Sequence, residues 1–366
     1  MSPKPKILLV HLTQYGRHTN SYKYCQYLQD HYALTYLCLD QGYPKIEDNT
    51  TVIYLKKEKS AIANSFKMIH KARQIIQRND YRIVYLFYFK LCSLIKPFQR
   101  SNFLLDIRTG AIDQAPFKRW RHNSMIHLES YLFDHITIIS EGLRHKLKIH
   151  PKRTTLLPLG ADLLSSQTKE YEHFSLIYMG TLTQRNIHQT IEGLALYIQE
   201  TQPHTPPLRY DIFGDGHPKD VAQLKATITK YGLDEIVHYH GRKPHHELQP
   251  YFDTCNVGIS YIPMQEYFEY QPPTKTFEYI NAGMVCLATA THENRQLINE
   301  KNGILFEDNP DAFNKALHQL YQRRSSYQTA TITNSLLAYR WKNIVHHRLL
   351  PLLKTIEHQK KGAIHV

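Results

Sequence analysis

The chain has 366 residues, with 45 Lys+Arg against 32 Asp+Glu and a formal net charge of +13. Hydrophobic residues make up 42% and charged residues 21%, which excludes wholesale disorder, and the length suffices for two domains. Mean hydropathy is −0.47, and no apolar run approaches the roughly 18 residues of a spanning helix.

In chain order, the opening MSPKPKILLVHLTQ is basic, but its apolar stretch is too short for a signal peptide. Residues 6–12 read as a strand, 21–29 as a helix, and 34–39 and 52–55 as strands. A helix is predicted over 60–77, with Ile62, Phe66, Ile69 and Ile76 at three-to-four spacing. Strands follow at 83–89 and 103–107, a helix at 117–133, a strand at 136–140, a helix at 141–148 and a strand at 154–159. A polar stretch at 164–173 interrupts. Strands are then expected at 175–179, 208–213, 236–239, 257–261 and 285–288, with helices at 187–200, 221–231 and 276–282. A last helix spans about 336–357. Such alternation predicts an α/β chain of two doubly wound parallel-sheet domains, 1–165 and 166–335. Ligands of such domains bind at the carboxyl ends of the strands, in the cleft between the two.

The five cysteines are scattered, with no C-x-x-C pair, so neither a disulfide framework nor a zinc site is expected. A reducing cytoplasm is the natural compartment. The 23 histidines contain no H-E-x-x-H pattern, and the pairs His238/His240, His245/His246 and His346/His347 read as surface or packing residues. Residues 1–165 hold 25 Lys+Arg and 12 Asp+Glu, whereas 166–366 hold 20 of each. The excess therefore implies an anionic partner for the first half. Lys56, Lys57, Lys59, Lys67, Lys71, Arg73 and Arg78 flank the 60–77 helix, and Phe117-Lys118-Arg119-Trp120-Arg121 mixes aromatics with cations, as interface-binding segments do. The apolar stripe of the 60–77 helix is expected to pack on its own sheet, leaving the cations to meet an anionic membrane surface. Nucleic-acid binding would use the charge, but no motif accompanies it.

Three loops could carry chemistry. Gly180-Thr181-Leu182-Thr183-Gln184-Arg185 follows a strand and precedes a helix, a place where phosphate meets backbone N–H groups and a guanidinium; a plain turn is the other reading. Gly214-Asp215-Gly216 permits a sharp turn or close approach of a nucleotide. In Pro273-Thr274-Lys275-Thr276-Phe277-Glu278, Lys275 lies one turn from Glu278 on one face, suited to a phosphate and a ribose diol, or to a simple ion pair. In the first half, Gly16-Arg17-His18 and Asp106-Ile107-Arg108 follow strands. They could touch an acceptor, and a structural Asp106–Arg108 pair accounts for them equally well.

Taken together, Gly180-Thr181-Leu182 with Arg185, Phe213-Gly214-Asp215-Gly216, His240-Gly241 and Pro273-x-Lys275-x-x-Glu278-Tyr279-x-x-x-Gly283 resemble the donor half of retaining glycosyltransferases of family 4, which have the GT-B fold. Ile138-Ile139-Ser140-Glu141-Gly142-Leu143 and Leu157-Pro158-Leu159-Gly160-Ala161-Asp162 are similar to segments of that family's first domain. Tyr339-Arg340-Trp341 resembles the start of its C-terminal crossover helix, which packs back on the first domain and would here take in about 336–366. The resemblance implies a nucleotide-sugar donor in the second domain, probed by Gly180, Thr181, Gly214, Asp215, Gly216, Tyr270, Pro273, Thr274 and Gly283. Glu278 would bind the ribose, and Arg185 with Lys275 the diphosphate. Gly16, Arg17, Asp106 and Arg108 would lie near a glycan or lipid-linked acceptor. No cofactor or metal is implied. Two departures stand out: Thr181 replaces the family's Arg after the strand-end glycine, and Tyr270, with Glu269 beside it, replaces a Glu. A nucleotide-sugar epimerase on the same fold, or a non-catalytic binding subunit, are the alternative readings.

Overall fold

The computed structural model describes residues 3–97, 101–204 and 206–358. The chain divides into two units, Met1–Leu159 with Trp341–Val366, and Gly160–Arg340.

The first unit holds a seven-stranded sheet of β1 (Lys6–Val10), β2 (Ala33–Asp40), β3 (Thr51–Lys56), β4 (Tyr81–Phe87), β5 (Asn102–Ile107), β6 (His135–Ile138) and β7 (Thr154–Leu156), in the order β3-β2-β1-β4-β5-β6-β7. Every pairing is parallel. The central strands are Ile/Leu/Val runs, and 7–10, 83–87 and 103–107 are almost wholly buried, as strands covered on both faces must be. The helices are α1 (Thr19–Leu28), α2 (Ala61–Arg78), α3 (Pro116–Ser130) and α4 (Glu141–Lys146). The chain steps one way along the sheet from β1 to β2 and the opposite way from β3 onward. Right-handed crossovers therefore put α1 on one face and α2, α3 and α4 on the other.

The second unit holds six parallel strands, β8 (Phe174–Met179), β9 (Leu208–Phe213), β10 (Val237–Gly241), β11 (Val257–Ser260), β12 (Val285–Thr289) and β13 (Gly303–Phe306), in the order β10-β9-β8-β11-β12-β13. Its helices are α5 (His188–Thr201), α6 (Pro218–Lys230), α7 (Gln249–Thr254), α8 (Thr274–Asn281), α9 (His292–Leu297), α10 (Pro310–Arg323) and α11 (Thr329–Ser335). Side-chain caps start several of them: Thr291 Oγ1 accepts from the Asn294 N–H and Asn309 Oδ1 from the Ala312 N–H. Both sheets are thus doubly wound Rossmann-like layers, as the alternation predicts.

Three expectations need correction. The last helix does not run from 336: a short 3-10 turn occupies Leu337–Tyr339, and the helix begins as α12 (Trp341–Ile344), passes through a π turn and ends as α13 (Leu350–His358). Residues 359–366 of that expectation lie outside the described residues. Strand β13 and helices α7 and α9 to α11 have no counterpart in the sequence reading. On α2, Ile69 and Ile76 are buried with Met68, Ala72 and Ile75, but Ile62 is 57% and Phe66 51% exposed. The stripe that meets the sheet is therefore rotated from the one read off the spacing.

The unit boundaries sharpen the charge asymmetry. The first unit carries 30 Lys+Arg and 12 Asp+Glu, a net of +18; the second carries 15 and 20, a net of −5.

Candidate functional site

In the second unit the winding reverses between β8 and β11, because β9 lies to one side of β8 and β11 to the other. The helices on either side diverge there, leaving a crevice at the carboxyl ends of the strands. A pocket of about 230 Å³ sits in that place, lined by Tyr178 to Thr181 at the end of β8, by 259–262 at the end of β11, by Arg185, and by Pro273, Thr274 and Lys275 at the start of α8. The N-terminus of α8 lies at the pocket and supplies partial positive charge from its unpaired N–H groups.

Arg185 is the distinctive group. Its guanidinium lies 4.1 Å above the Phe268 ring, and its Nη1 is buried with no hydrogen-bond partner. Burial holds its pKa below the ordinary guanidinium value. The backbone on either side is unusual: Gln184 and Asn186 have φ of +57° and +53°, left-handed conformations that cost of order 1 kcal/mol each in side-chain-bearing residues. A strained loop thus presents a cation with an unmet donor to the pocket.

Lys275 and Glu278 are joined one helical turn apart, Nζ to Oε2 at 2.5 Å, and both are largely shielded from solvent, at 33% and 16% exposure. Below them, Thr276 Oγ1 donates to Asn294 Oδ1 and lies 2.8 Å from Ser260 Oγ, which locks α8 to the end of β11.

The glycines have specific steric reasons. At Gly214, φ is +142°, and a Cβ would fall 1.7 Å from the Gly180 carbonyl oxygen. At Gly216, a Cβ would come within 2.7 Å of the Thr183 backbone nitrogen. The loops after β8 and β9 are zipped together by Gly180 N–H to Phe213 O and Leu182 N–H to Asp215 O. Gly180 and Thr181 therefore line the pocket, whereas Gly214 and Gly216 support it from behind. Asp215 faces Arg242 at 3.7 Å in solvent.

Three further expected donor residues are not among those lining the pocket: Gly283, Tyr270 and Glu278, the last of which is held by Lys275. Gly283 ends α8 at φ +76°, beyond the far end of that helix, where its carbonyl accepts from the Tyr171 hydroxyl. Its role there is to turn the chain. Tyr270 packs on the His292 ring at 5.0 Å, while the adjacent Glu269 carboxylate accepts from the His292 N–H at the start of α9. Sequence reasoning in turn missed Phe268 and Ser260, whose pairing with Arg185 and Thr276 is non-local, and Tyr178, whose hydroxyl donates to the Thr181 carbonyl three residues on.

In the first unit, the winding reverses between β1 and β4. Gly16, at φ +83°, approaches Ile46, and Arg17 lies 4.1 Å over the Tyr43 ring. The His11 and His18 rings lie 4.6 Å apart beside Phe87, and burial lowers the pKa of both, His18 to about 4. Asp106 and Arg108 depart from the acceptor role. Asp106 is fully buried at the end of β5 and accepts from Thr137 Oγ1 at 2.8 Å; burial raises its pKa. Arg108 is 8% exposed, lies 3.6 Å from Asp106, and donates to the Leu157 and Pro158 carbonyls. Asn20, in the amide orientation that satisfies both groups, accepts two further bonds from it. The pair is a buried clamp holding α1 and the segment after β7 to β5.

Among the described residues, no group of three or more His, Cys, Asp or Glu is placed to hold a metal ion, and no helix is long and apolar enough to cross a membrane. The side chains of His245 and His246 lie outside what is described.

Residues 173–323 match the family model described as glycosyl transferases group 1, and residues 6–104 match that described as glycosyl transferase 4-like. No curated protein sequence matches the chain. Among solved structures, a glycosyltransferase from Rickettsia africae is 14% identical with a TM-score of 0.74, covering 97% of this chain and 99% of its own. Sucrose-phosphate synthase from Thermosynechococcus elongatus is 14% identical with a TM-score of 0.73, covering 96% and 99%. Anabaena HepE, solved in complex with UDP, is 12% identical with a TM-score of 0.71, covering 96% and 100%. The chain therefore has the GT-B fold, with glycosyltransferase family matches in both units, 4-like over 6–104 and group 1 over 173–323.

Proposed function

We propose that this protein is a retaining glycosyltransferase of family 4. It moves a sugar from a nucleoside-diphosphate donor to a hydroxyl of a glycan or lipid-linked oligosaccharide in cell-surface polysaccharide synthesis. The observation that carries this reading is Arg185, a shielded guanidinium with an unmet Nη1 donor beside Lys275 and the start of α8. That set suits a diphosphate, whose oxygens accept charge-assisted bonds. The UDP of the HepE complex supports UDP as the nucleotide.

The Lys275–Glu278 ion pair suggests how the parts work. A diphosphate near Lys275 offers it a more highly charged partner than Glu278. The freed Glu278 carboxylate then accepts both hydroxyls of the ribose. As the bond to the sugar breaks, charge grows on the leaving diphosphate, and Arg185, Lys275 and the first-turn N–H groups of α8 stabilise it. The acceptor hydroxyl attacks on the face the phosphate leaves, without a covalent intermediate, and its proton passes to the departing phosphate oxygen as the bond from the sugar to that oxygen breaks. The cationic side chains take the role a metal would have. The first unit's +18 charge supports an acceptor on an anionic surface, at the inner face of the cytoplasmic membrane.

The test is a thermal-shift screen of UDP and nucleotide sugars, followed by turnover in EDTA. Saturating donor at about a hundredfold over Kd adds ~2.7 kcal/mol to the folded state, a rise of several degrees in Tm. No shift with any nucleotide sugar refutes the donor site. Activity lost in EDTA and restored by Mn²⁺ refutes the metal-free mechanism. Conversion of the donor incubated alone favours an epimerase.

A further inference from the structure

Helix α3 is buried at one end only. Its buried residues are Ile126, Glu129 and Ser130, and none of the ten residues 116–125 is buried. On that projecting half, Phe117 is 68% and Trp120 63% exposed, with their rings stacked 5.9 Å apart, and Ile112 is exposed just before it. Large aromatic surface left in water is unfavourable and calls for a partner. The polar residues between and just after them are cationic: Lys118, Arg119 and Arg121. Lys118 and Arg121 have no ion-pair partner among the described residues. No acid occurs from 114 to 128, and Glu129 is turned inward, accepting from the Leu91 and Ser93 N–H groups.

A second patch lies on α2, where Ile62 and Phe66 are exposed in the first two turns after Lys57 and Lys59. Helix α2 contains no acid. Both helices follow strands whose crossovers step the same way, so they lie on one face of the sheet, and both start at its carboxyl edge. The misplaced half of the α2 stripe and the standing half of α3 are thus on the same face at the same edge.

We propose that this edge is a membrane-docking face, on which Phe117 and Trp120, with Ile62 and Phe66 beside them, enter the headgroup layer of an anionic bilayer while the surrounding lysines and arginines meet lipid phosphates. The charge complementarity selects the occupant: a rim in which cations outnumber acids, with Glu58 paired to Lys67, fits an anionic lipid surface around the aromatic side chains. It deepens the reading that the acceptor is carried on such a surface, by giving the contact an inserted apolar part besides its charge. The attachment is therefore weakened by salt but not abolished by it.

The sequence contains two tryptophans, and Trp341 is 1% exposed in the core of the first unit, so a change in emission on lipid reports Trp120. The experiment mixes the full chain with phosphatidylglycerol–phosphatidylcholine vesicles or with phosphatidylcholine alone, and follows sedimentation and tryptophan emission. The expected result is co-sedimentation and a blue shift with the anionic vesicles only. Phe117→Ser with Trp120→Ser lowers partitioning by about tenfold or more at unchanged Tm. Trp120→Phe keeps sedimentation and loses the shift, and Lys118→Glu with Arg121→Glu abolishes binding at low salt. Sedimentation without a blue shift overturns the proposal. So does a double variant that binds like the parent. Failure to bind either vesicle, with self-association that depends on Trp120, also overturns it, because the face then joins two copies. A UDP thermal shift run on the same double variant separates the two readings: its absence in parent and variant sinks the donor site and leaves the vesicle result to decide the docking face.

Discussion

Replacing Arg185 by Ala separates a functional arginine from a structural one. In the unliganded protein the side chain contributes little stability on balance. Its buried, unmet Nη1 destabilises the fold by about 1–3 kcal/mol, and its stacking on Phe268 returns about 0.5–2 kcal/mol. The substitution is therefore expected to leave the unfolding free energy within about 1 kcal/mol of the parent, or to raise it. Nucleotide binding behaves oppositely. Losing hydrogen bonds from a charged donor to a diphosphate costs about 1.5–3 kcal/mol, which is roughly 10- to 150-fold in Kd. Urea denaturation gives the first quantity and calorimetric titration with UDP the second. An Arg185→Ala protein that is destabilised by more than about 2 kcal/mol and binds UDP like the parent would show that the guanidinium serves the loop, and the reasoning from the unmet donor would fail.

Two further predictions rest on particular contacts. Gly214→Ala sets a Cβ against the Gly180 carbonyl oxygen in a backbone conformation that disfavours side chains; it should cost about 3 kcal/mol or more and weaken UDP binding, since the two loops must part. Gly42→Ala, with a φ of +80° and nothing within 4 Å, is the control and should cost only about 1 kcal/mol. If the two variants unfold at the same urea concentration, the loop–loop contact is not what requires the glycine. The second concerns acid. Burial, then the Arg108 charge, hold His18 at about 4 against an ordinary 6.5. Above pH 6.5 both folded and unfolded chains are neutral there, so the group contributes nothing to the pH dependence. As pH falls below that, the unfolded chain takes up a proton that the folded chain refuses, and stability drops by up to about 3 kcal/mol by pH 4. His18→Asn keeps a side-chain acceptor for the start of α1 and removes the titration, so its stability should fall less steeply over that interval. Parallel acid limbs for parent and variant would assign the acid sensitivity elsewhere.

The success and failure of the sequence reading have physical causes. The strands were legible because a parallel strand covered on both faces is a short, uninterrupted apolar run, as in Ile83 to Phe87. Lys275 and Glu278 were legible as a pair because three residues along a helix is one turn. The face of α2 was misjudged because Ile62 and Phe66 share a spacing with Ile69 and Ile76; periodicity identifies an apolar stripe but not how much of it the sheet covers. Asp106 and Arg108 looked available because they end a strand, and only the neighbours Thr137, Asn20 and Leu157 reveal that Asp106 Oδ1 and the Arg108 guanidinium are engaged.

By itself, the sequence determined the two-unit doubly wound architecture, the concentration of positive charge in the first unit, and which loops follow strands. These are local properties: hydrophobic periodicity, capping and composition are written in neighbouring residues. Only the tertiary structure decided which residues of those loops share a pocket. Arg185 meets Phe268, Ser260 meets Thr276, and Gly214 touches Gly180, across separations no local pattern encodes. It also decided that Phe117, Trp120, Ile62 and Phe66 stand in solvent, because exposure is set by what the rest of the chain leaves uncovered.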